Sequence, residues 1–205
     1  MNRVLPLIIV ALAILAFATL FLVAGPAMQI RSIDAPDGLA PYTQAQLNGR
    51  AEYISQGCVY CHSQQPRSPE QAPDVLRGWG RPSTPADYVY DEPHLLGTMR
   101  TGPDLLNVGA RLPSQGWQLT HLYQPRAIVP QSIMPAFPYL FEAKDQAEDD
   151  DVVVPVPARY RPEGKIIVAK QQALDLVDYL LSLDRTYPAE RVDLRDNGFV
   201  AKEDS

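Results

Sequence analysis

Residues 58–62 read CVYCH and use both of the chain's cysteines, Cys58 and Cys61, together with one of its three histidines, His62. Two thiols at this spacing with an imidazole directly after them form the pattern that tethers a c-type haem. Each thiol adds to one vinyl group, and the next residue then lies under the iron as its proximal ligand. Three other readings fit less well. A structural zinc site needs a second close Cys/His pair, which the sequence lacks. A redox dithiol belongs beside a βαβ pattern, which the flanking residues do not show. A disulfide between cysteines so close is strained. The expected cofactor is one haem c, covalently bound.

A second axial ligand has to come from Met1, Met28, Met99, Met134, His94 or His121. Met1 belongs to an apolar N-terminal stretch, and Met28 lies at the end of it. Met134 sits in SIMPAFPY, where Pro135 and Pro138 hold the backbone extended and able to present a thioether. Met134 is therefore the favoured ligand; Met99, either histidine and an open position stay as alternatives. A His/Met pair gives a six-coordinate iron suited to electron transfer and not to oxygen binding. No nucleophile–base pair and no open metal site is visible, so no substrate chemistry is expected of this chain on its own.

Several elements must position these groups. Residues 4–24 carry no charge and a single polar side chain, Thr19. Twenty-one residues at about 1.5 Å each reach about 30 Å, the thickness of a bilayer's hydrocarbon core. We read residues 1–25 as a single transmembrane anchor. The alternative is the apolar core of a cleaved signal peptide, which usually spans about 7–15 residues behind a more basic leader. Residues 26–42, rich in Pro, Gly and Ala, form a linker. Thr43 and Gln46 fit a capping box that opens a helix, with Leu47, Ala51 and Ile54 as its apolar face and Gly57 as its stop. Short helices are expected near 104–110 and 115–124. Lys170 to Leu183 reads as an amphipathic helix with Leu174, Val177, Leu180 and Leu181 on one stripe beside Ala173.

Between these helices the chain is rich in proline and poor in periodicity from 63 to 138. A loop of that length argues against a compact domain unless it wraps a large buried ligand. Near 152–169, VVVPV and KIIVA flank a Pro/Gly turn and suggest a small β-hairpin insertion. The expected fold is thus mainly α. Its segments are the anchor, the linker, a cofactor domain over 43–184 with an insertion at about 142–169, and a polar tail over 185–205.

The net charge of −6 is concentrated at residues 142–151, EAKDQAEDDD, where six acids and one lysine contribute −5. The remainder is nearly neutral, so nucleic-acid binding has no basic footprint. The acidic run is either a solvated loop or a docking patch for a basic partner.

These features resemble class I cytochromes c. Gly49 and Tyr53 resemble the glycine and aromatic positions of the first helix, and Tyr179 the aromatic of the last. GPDL at 102–105 resembles the loop whose proline carbonyl accepts the proximal imidazole N–H, a role the resemblance gives to Pro103. MP at 134–135 resembles the distal-ligand dipeptide. More narrowly, YVYDEPHLLGTMRTGPDLLNVGAR followed by HLYQPRAIVPQSIMPAFPYL resembles the membrane-anchored mono-haem subunit of cbb3-type haem–copper oxidases over roughly residues 1–141. The resemblance places Arg126 and Trp117 near the haem propionates or edge.

It also implies a function: a non-catalytic subunit passing single electrons from a cytochrome c donor to a polytopic haem–copper catalytic subunit. The location implied is the bacterial cytoplasmic membrane, crossed once, with the soluble domain on the periplasmic side where haem c is attached. The cytochrome subunit of a nitric oxide reductase, a free-standing anchored shuttle and a haem gas sensor are the alternatives. Three features depart from the family pattern: Glu92 where a histidine usually precedes Pro93, Thr98 and Met99 before RTGPDL, and the acidic insertion.

Overall fold

A computed structural model describes residues 4–188, which fall into two compact groups: 4–39 with 84–89, and 40–83 with 90–188. Most of the tail expected at 185–205 lies outside the described residues.

In the first group, Val4–Arg31 forms one 28-residue helix, α1, whose large apolar side chains are all exposed and whose mean hydropathy reaches 3.0. At about 1.5 Å per residue it exceeds the ~30 Å needed to cross a bilayer, so it is long and apolar enough to anchor the chain there. It carries a local defect with an identifiable cause. Pro26 has no N–H to donate and crowds the carbonyl four residues back. Immediately before it, Leu20–Ala24 widens into a π turn in which Gly25 N–H donates to Leu20 O.

The second group is built around two helices. Gln44–Ser55, α2, opens with the expected capping box: Thr43 Oγ1 accepts from Gln46 N–H at 3.3 Å, and Gln46 Oε1 accepts from Thr43 N–H at 2.9 Å. It ends before Gly57, whose φ of +71° marks the left-handed stop. Val108–Arg111 and Gln115–Tyr123 are α3 and α4, and Gln171–Ser182 is α5. A bundle of side chains including Leu119, Leu140, Leu176, Val177 and Leu183 is fully buried between them.

The apolar face of α2 read from periodicity is not the buried one, whereas the Gly49 and Tyr53 positions given by the resemblance are. Leu47, Ala51 and Ile54 are exposed, whereas Gly49, Arg50 and Tyr53 are buried. Backbone proximity outweighs side-chain hydrophobicity here. A Cβ built on Gly49 would lie 1.8 Å from Asp175 O, so α2 and α5 touch backbone to backbone at that point. Tyr53 then meets Tyr179 edge-on with ring centroids 5.6 Å apart. Arg50 is buried because it is paired: its Nε donates to Asp91 Oδ1 at 3.0 Å, and its other nitrogens donate to the carbonyls of Glu92 and Pro93. Arg50 reads Glu92 through its backbone, so the Glu92 departure leaves this anchor intact.

The insertion is more than a hairpin. Phe141–Lys144 (β1), Val153–Val154 (β2) and Ile166–Ala169 (β3) form an antiparallel sheet in the order β1-β3-β2. Phe141 pairs with Ala169, and Val153 with Val168. Pro155 ends β2 because it cannot donate to a ladder. Phe141, Val154 and Ile167 face the core, and Tyr123 meets Phe141 edge-on at 5.3 Å. β1 takes in the start of the acidic run. The rest of that run folds back through Lys144, whose Nζ lies 2.9 Å from Asp151 Oδ2, and through Asp145, paired with Lys165 at 2.7 Å.

Gly49→Ala is expected to cost about 3 kcal/mol or more, because a methyl cannot enter a backbone–backbone contact without separating the helices. Leu47→Ala, on the exposed face, is expected to stay within about 0.5 kcal/mol of the parent. Denaturant unfolding followed by circular dichroism measures both.

Candidate cofactor site

The CVYCH segment follows directly from the end of α2. Gly57 turns the chain, and Cys58–Tyr60 forms one tight 3-10 turn. Cys61 N–H and His62 N–H both donate to Cys58 O, at 3.1 and 3.0 Å, so the two cysteines and the histidine share one loop of backbone. Both cysteines are free thiols, Cys58 half-buried and Cys61 exposed. Burial pushes the Cys58 thiol up to about 11. A thiol held protonated is a poor nucleophile for disulfide exchange, which counts against the redox-dithiol reading.

His62 is held from the far side by a segment about forty residues away. Its Nδ1 lies 2.8 Å from Pro103 O. A carbonyl can only accept, so Nδ1 carries the proton and the Nε2 lone pair is left for a metal. Burial lowers the imidazole pKa more than the Pro103 carbonyl raises it, which keeps the ring neutral as a ligand must be.

Gly102 makes this contact sterically feasible. A Cβ there would stand 2.3 Å from His62 Cε1, so any side chain at 102 would push the ring away. The two segments are also zipped together. Gly102 N–H donates to Cys61 O and Leu105 N–H to Ser63 O, both at 2.8 Å. Ser63 Oγ donates to Asp104 Oδ2 at 2.6 Å, and Gln65 N–H reaches the same oxygen at 2.7 Å. Asp104 Oδ1 accepts from Leu106 N–H at 2.9 Å.

The other expected site residues are distributed around this pair. Met134 is half-buried and packs on the same core cluster as Cys58 and Val59, its N–H donating to Ser132 Oγ at 3.2 Å. Of the alternative ligands, Met99 is 56% exposed and His94 is exposed. His121 lies half-buried, stacked on Trp117 with centroids 4.8 Å apart. Its pKa is driven down to about 4, by burial first and then by the nearby His62. Arg126 is exposed, and its backbone carbonyl accepts from Tyr160 Oη at 3.2 Å.

Arg111 was missed by the sequence reading. Its Nη2 donates to Asp104 O at 3.0 Å, while its Nε is buried without a partner. Its charge is felt at His62. Among the described residues, His121 Nδ1, Thr120 Oγ1 and Gln124 Oε1 are likewise buried and unpartnered. Leaving such groups unpaired costs about 1–3 kcal/mol each. The unpartnered donor Arg111 Nε, whose charge acts on His62, fits a large group that has apolar faces and carboxylates. Haem is such a group, and Arg111 Nε is the sort of donor its carboxylates require. The one signal in the sequence was the position of Arg111, shortly after GPDL on a short helix, where a cation has no core-packing purpose.

Comparison with known families agrees with this chemistry. The family described as cytochrome c oxidase, mono-heme subunit/FixO matches residues 2–159, most of the chain. A search of curated proteins returned no match. The match covers the apolar helix, the CVYCH turn, the GPDL loop and Met134, and it stops before β3 and α5. The chain belongs to the FixO family, the mono-haem subunits of cbb3-type cytochrome c oxidases.

Proposed function

We propose that this subunit is an anchored class I cytochrome c that relays single electrons to the catalytic subunit of its oxidase. The observation that carries the reading is the His62 Nδ1···O Pro103 contact of 2.8 Å, made on the same turn that presents Cys58 and Cys61. It leaves one neutral imidazole nitrogen free beside two thiols, the arrangement a c-type attachment requires.

Cys58 and Cys61 would tether the group, and His62 and Met134 would hold its iron. Haem c, when bound, supplies a one-electron iron couple. The chain's own residues do the rest. Pro103 O fixes the tautomer and ring plane of His62 and raises its basicity. Met134 contributes a soft thioether that favours the reduced iron. Arg111 offers a half-buried cation to a carboxylate and is better placed for that role than the exposed Arg126. Cys61 is exposed and Cys58 half-buried, which supports an attachment edge open to a docking redox partner.

The apolar helix supports anchoring in the bacterial cytoplasmic membrane. Periplasmic placement of the soluble domain follows from where haem c is attached. The donor is another cytochrome c and the acceptor a polytopic haem–copper subunit. Family membership favours this oxidase over a nitric oxide reductase.

Purification from membranes in mild detergent is expected to bring down a polytopic haem–copper subunit; recovery of the chain alone would favour an independent shuttle. Met134→Ala is expected to remove the near-infrared sulfur–iron charge-transfer band of the oxidised protein. A band that survives would move the ligand to Met99.

A further inference from the structure

Arg100 has no part in holding the cofactor as described above, yet its guanidinium is bonded on every nitrogen. Its Nη1 lies 2.6 Å from both oxygens of Asp74, and its Nη2 donates to Gln65 O at 2.6 Å. Its Nε donates to Ser63 Oγ at 3.1 Å, and Nη2 lies 3.7 Å from Asp104 Oδ2. The guanidinium also sits over the Trp79 ring, 5.6 Å from its centroid. The Arg100 side chain is 14% exposed and that of Asp74 is fully buried.

The partners are not scattered. Ser63 follows His62 and Asp104 follows Pro103, so Arg100 touches the direct neighbour of each member of the imidazole–carbonyl pair. Ser63 Oγ accepts from Arg100 and donates to Asp104, which orients the hydroxyl and leaves it a single arrangement. Gln65, two residues further on, gives its carbonyl to Arg100 and its N–H to Asp104. Asp74 is the counter-ion that makes this possible. Burial pushes its carboxyl up, but the Arg100 hydrogen bonds, the Arg67 N–H and the charges of Arg100 and Arg67 outweigh that and hold it below the usual value.

We infer that Arg100, with Asp74 as its counter-ion, is a positioning residue for His62: its fork fixes the Ser63–Asp104 link and thereby the orientation of the imidazole against the Pro103 carbonyl. This inference rests on the reading of His62 as an axial ligand. A pair serving only to hold two loops together would need no fork directed at Ser63 and Gln65. An Arg at a site with several acceptors differs from a Lys because its planar donors fix several angles at once.

The consequence is electronic as well as structural. A strong Nδ1–H···O=C bond gives the imidazole more anionic character, which stabilises oxidised iron over reduced iron. Loosening it raises the midpoint potential, and each tenfold change in the relative stability of the two oxidation states equals 59 mV for one electron.

The test uses the full-length, haem-loaded chain. Arg100→Gln combined with Asp74→Asn removes the ion pair without changing net charge. It is expected to raise the midpoint potential and to broaden the low-spin electron paramagnetic resonance signal as the ring samples more orientations. Arg100→Lys, which keeps the charge and loses the fork, is expected to shift both in the same direction by less. Lys165→Gln with Asp145→Asn, an exposed pair on the insertion, is expected to leave both at the parental values.

Unchanged potential and signal in the Arg100 variants, with only thermal stability reduced, would overturn the proposal. Where the double variant does not fold, Arg100→Lys decides on the same two readouts. Failure of the ligand reading looks different: the parent protein itself would lack the imidazole-ligated low-spin signal, or His62→Gly would retain it.

Discussion

The contact between His62 Nδ1 and the Pro103 carbonyl is the constraint on which the site depends. It joins two segments 41 positions apart, and little else in the region is regular enough to hold them in register. The ring can approach the carbonyl only because Gly102 has no side chain, and it stays there because Gly102, Asp104 and Leu105 are bonded to residues 61–65. Neutral imidazole, fixed tautomer and a free second nitrogen all follow from this one arrangement.

The helices set the frame that makes the contact reproducible. α2 delivers the CVYCH turn, and its position is fixed where Gly49 lies against the α5 backbone. Gly109 does the same for the segment after GPDL, since a Cβ there would stand 2.1 Å from Leu181 O. One helix, α5, is therefore the common reference for both halves of the site. The long proline-rich stretch between them is organised by buried carboxylates instead of by ladders. Asp74 takes Arg100 and the Arg67 N–H; Asp91 takes Arg50 and the Tyr42 hydroxyl; Asp104 takes Ser63 and two backbone N–H groups. Each charge is tolerable in the interior because it is met by several donors.

This division explains what could be read from the sequence. The capping box at Thr43, the Gly57 stop and the amphipathic α5 were legible because each depends on local spacing. The inner face of α2 was legible at Gly49 and Tyr53 through the family resemblance, but not through periodicity. Leu47 and Ile54 outrank Gly49 and Arg50 in hydrophobicity, but close backbone approach and a buried partner decided the orientation. β1 was hidden because FEAK is polar on its outer face and pairs with a strand more than twenty residues away. Arg100 was invisible for the same reason, and Arg111 showed only its place after GPDL, since a cation's use depends on acceptors that only the folded chain brings together.

The central claim is that Cys58 and Cys61 carry a covalent haem with His62 beneath it. Its most direct test is mass spectrometry of the holoprotein after acid denaturation and proteolysis. The account predicts that the haem stays on the peptide containing residues 58–62, with neither cysteine available to a thiol reagent. Haem that extracts freely into acidified organic solvent, leaving both thiols reactive, would contradict it.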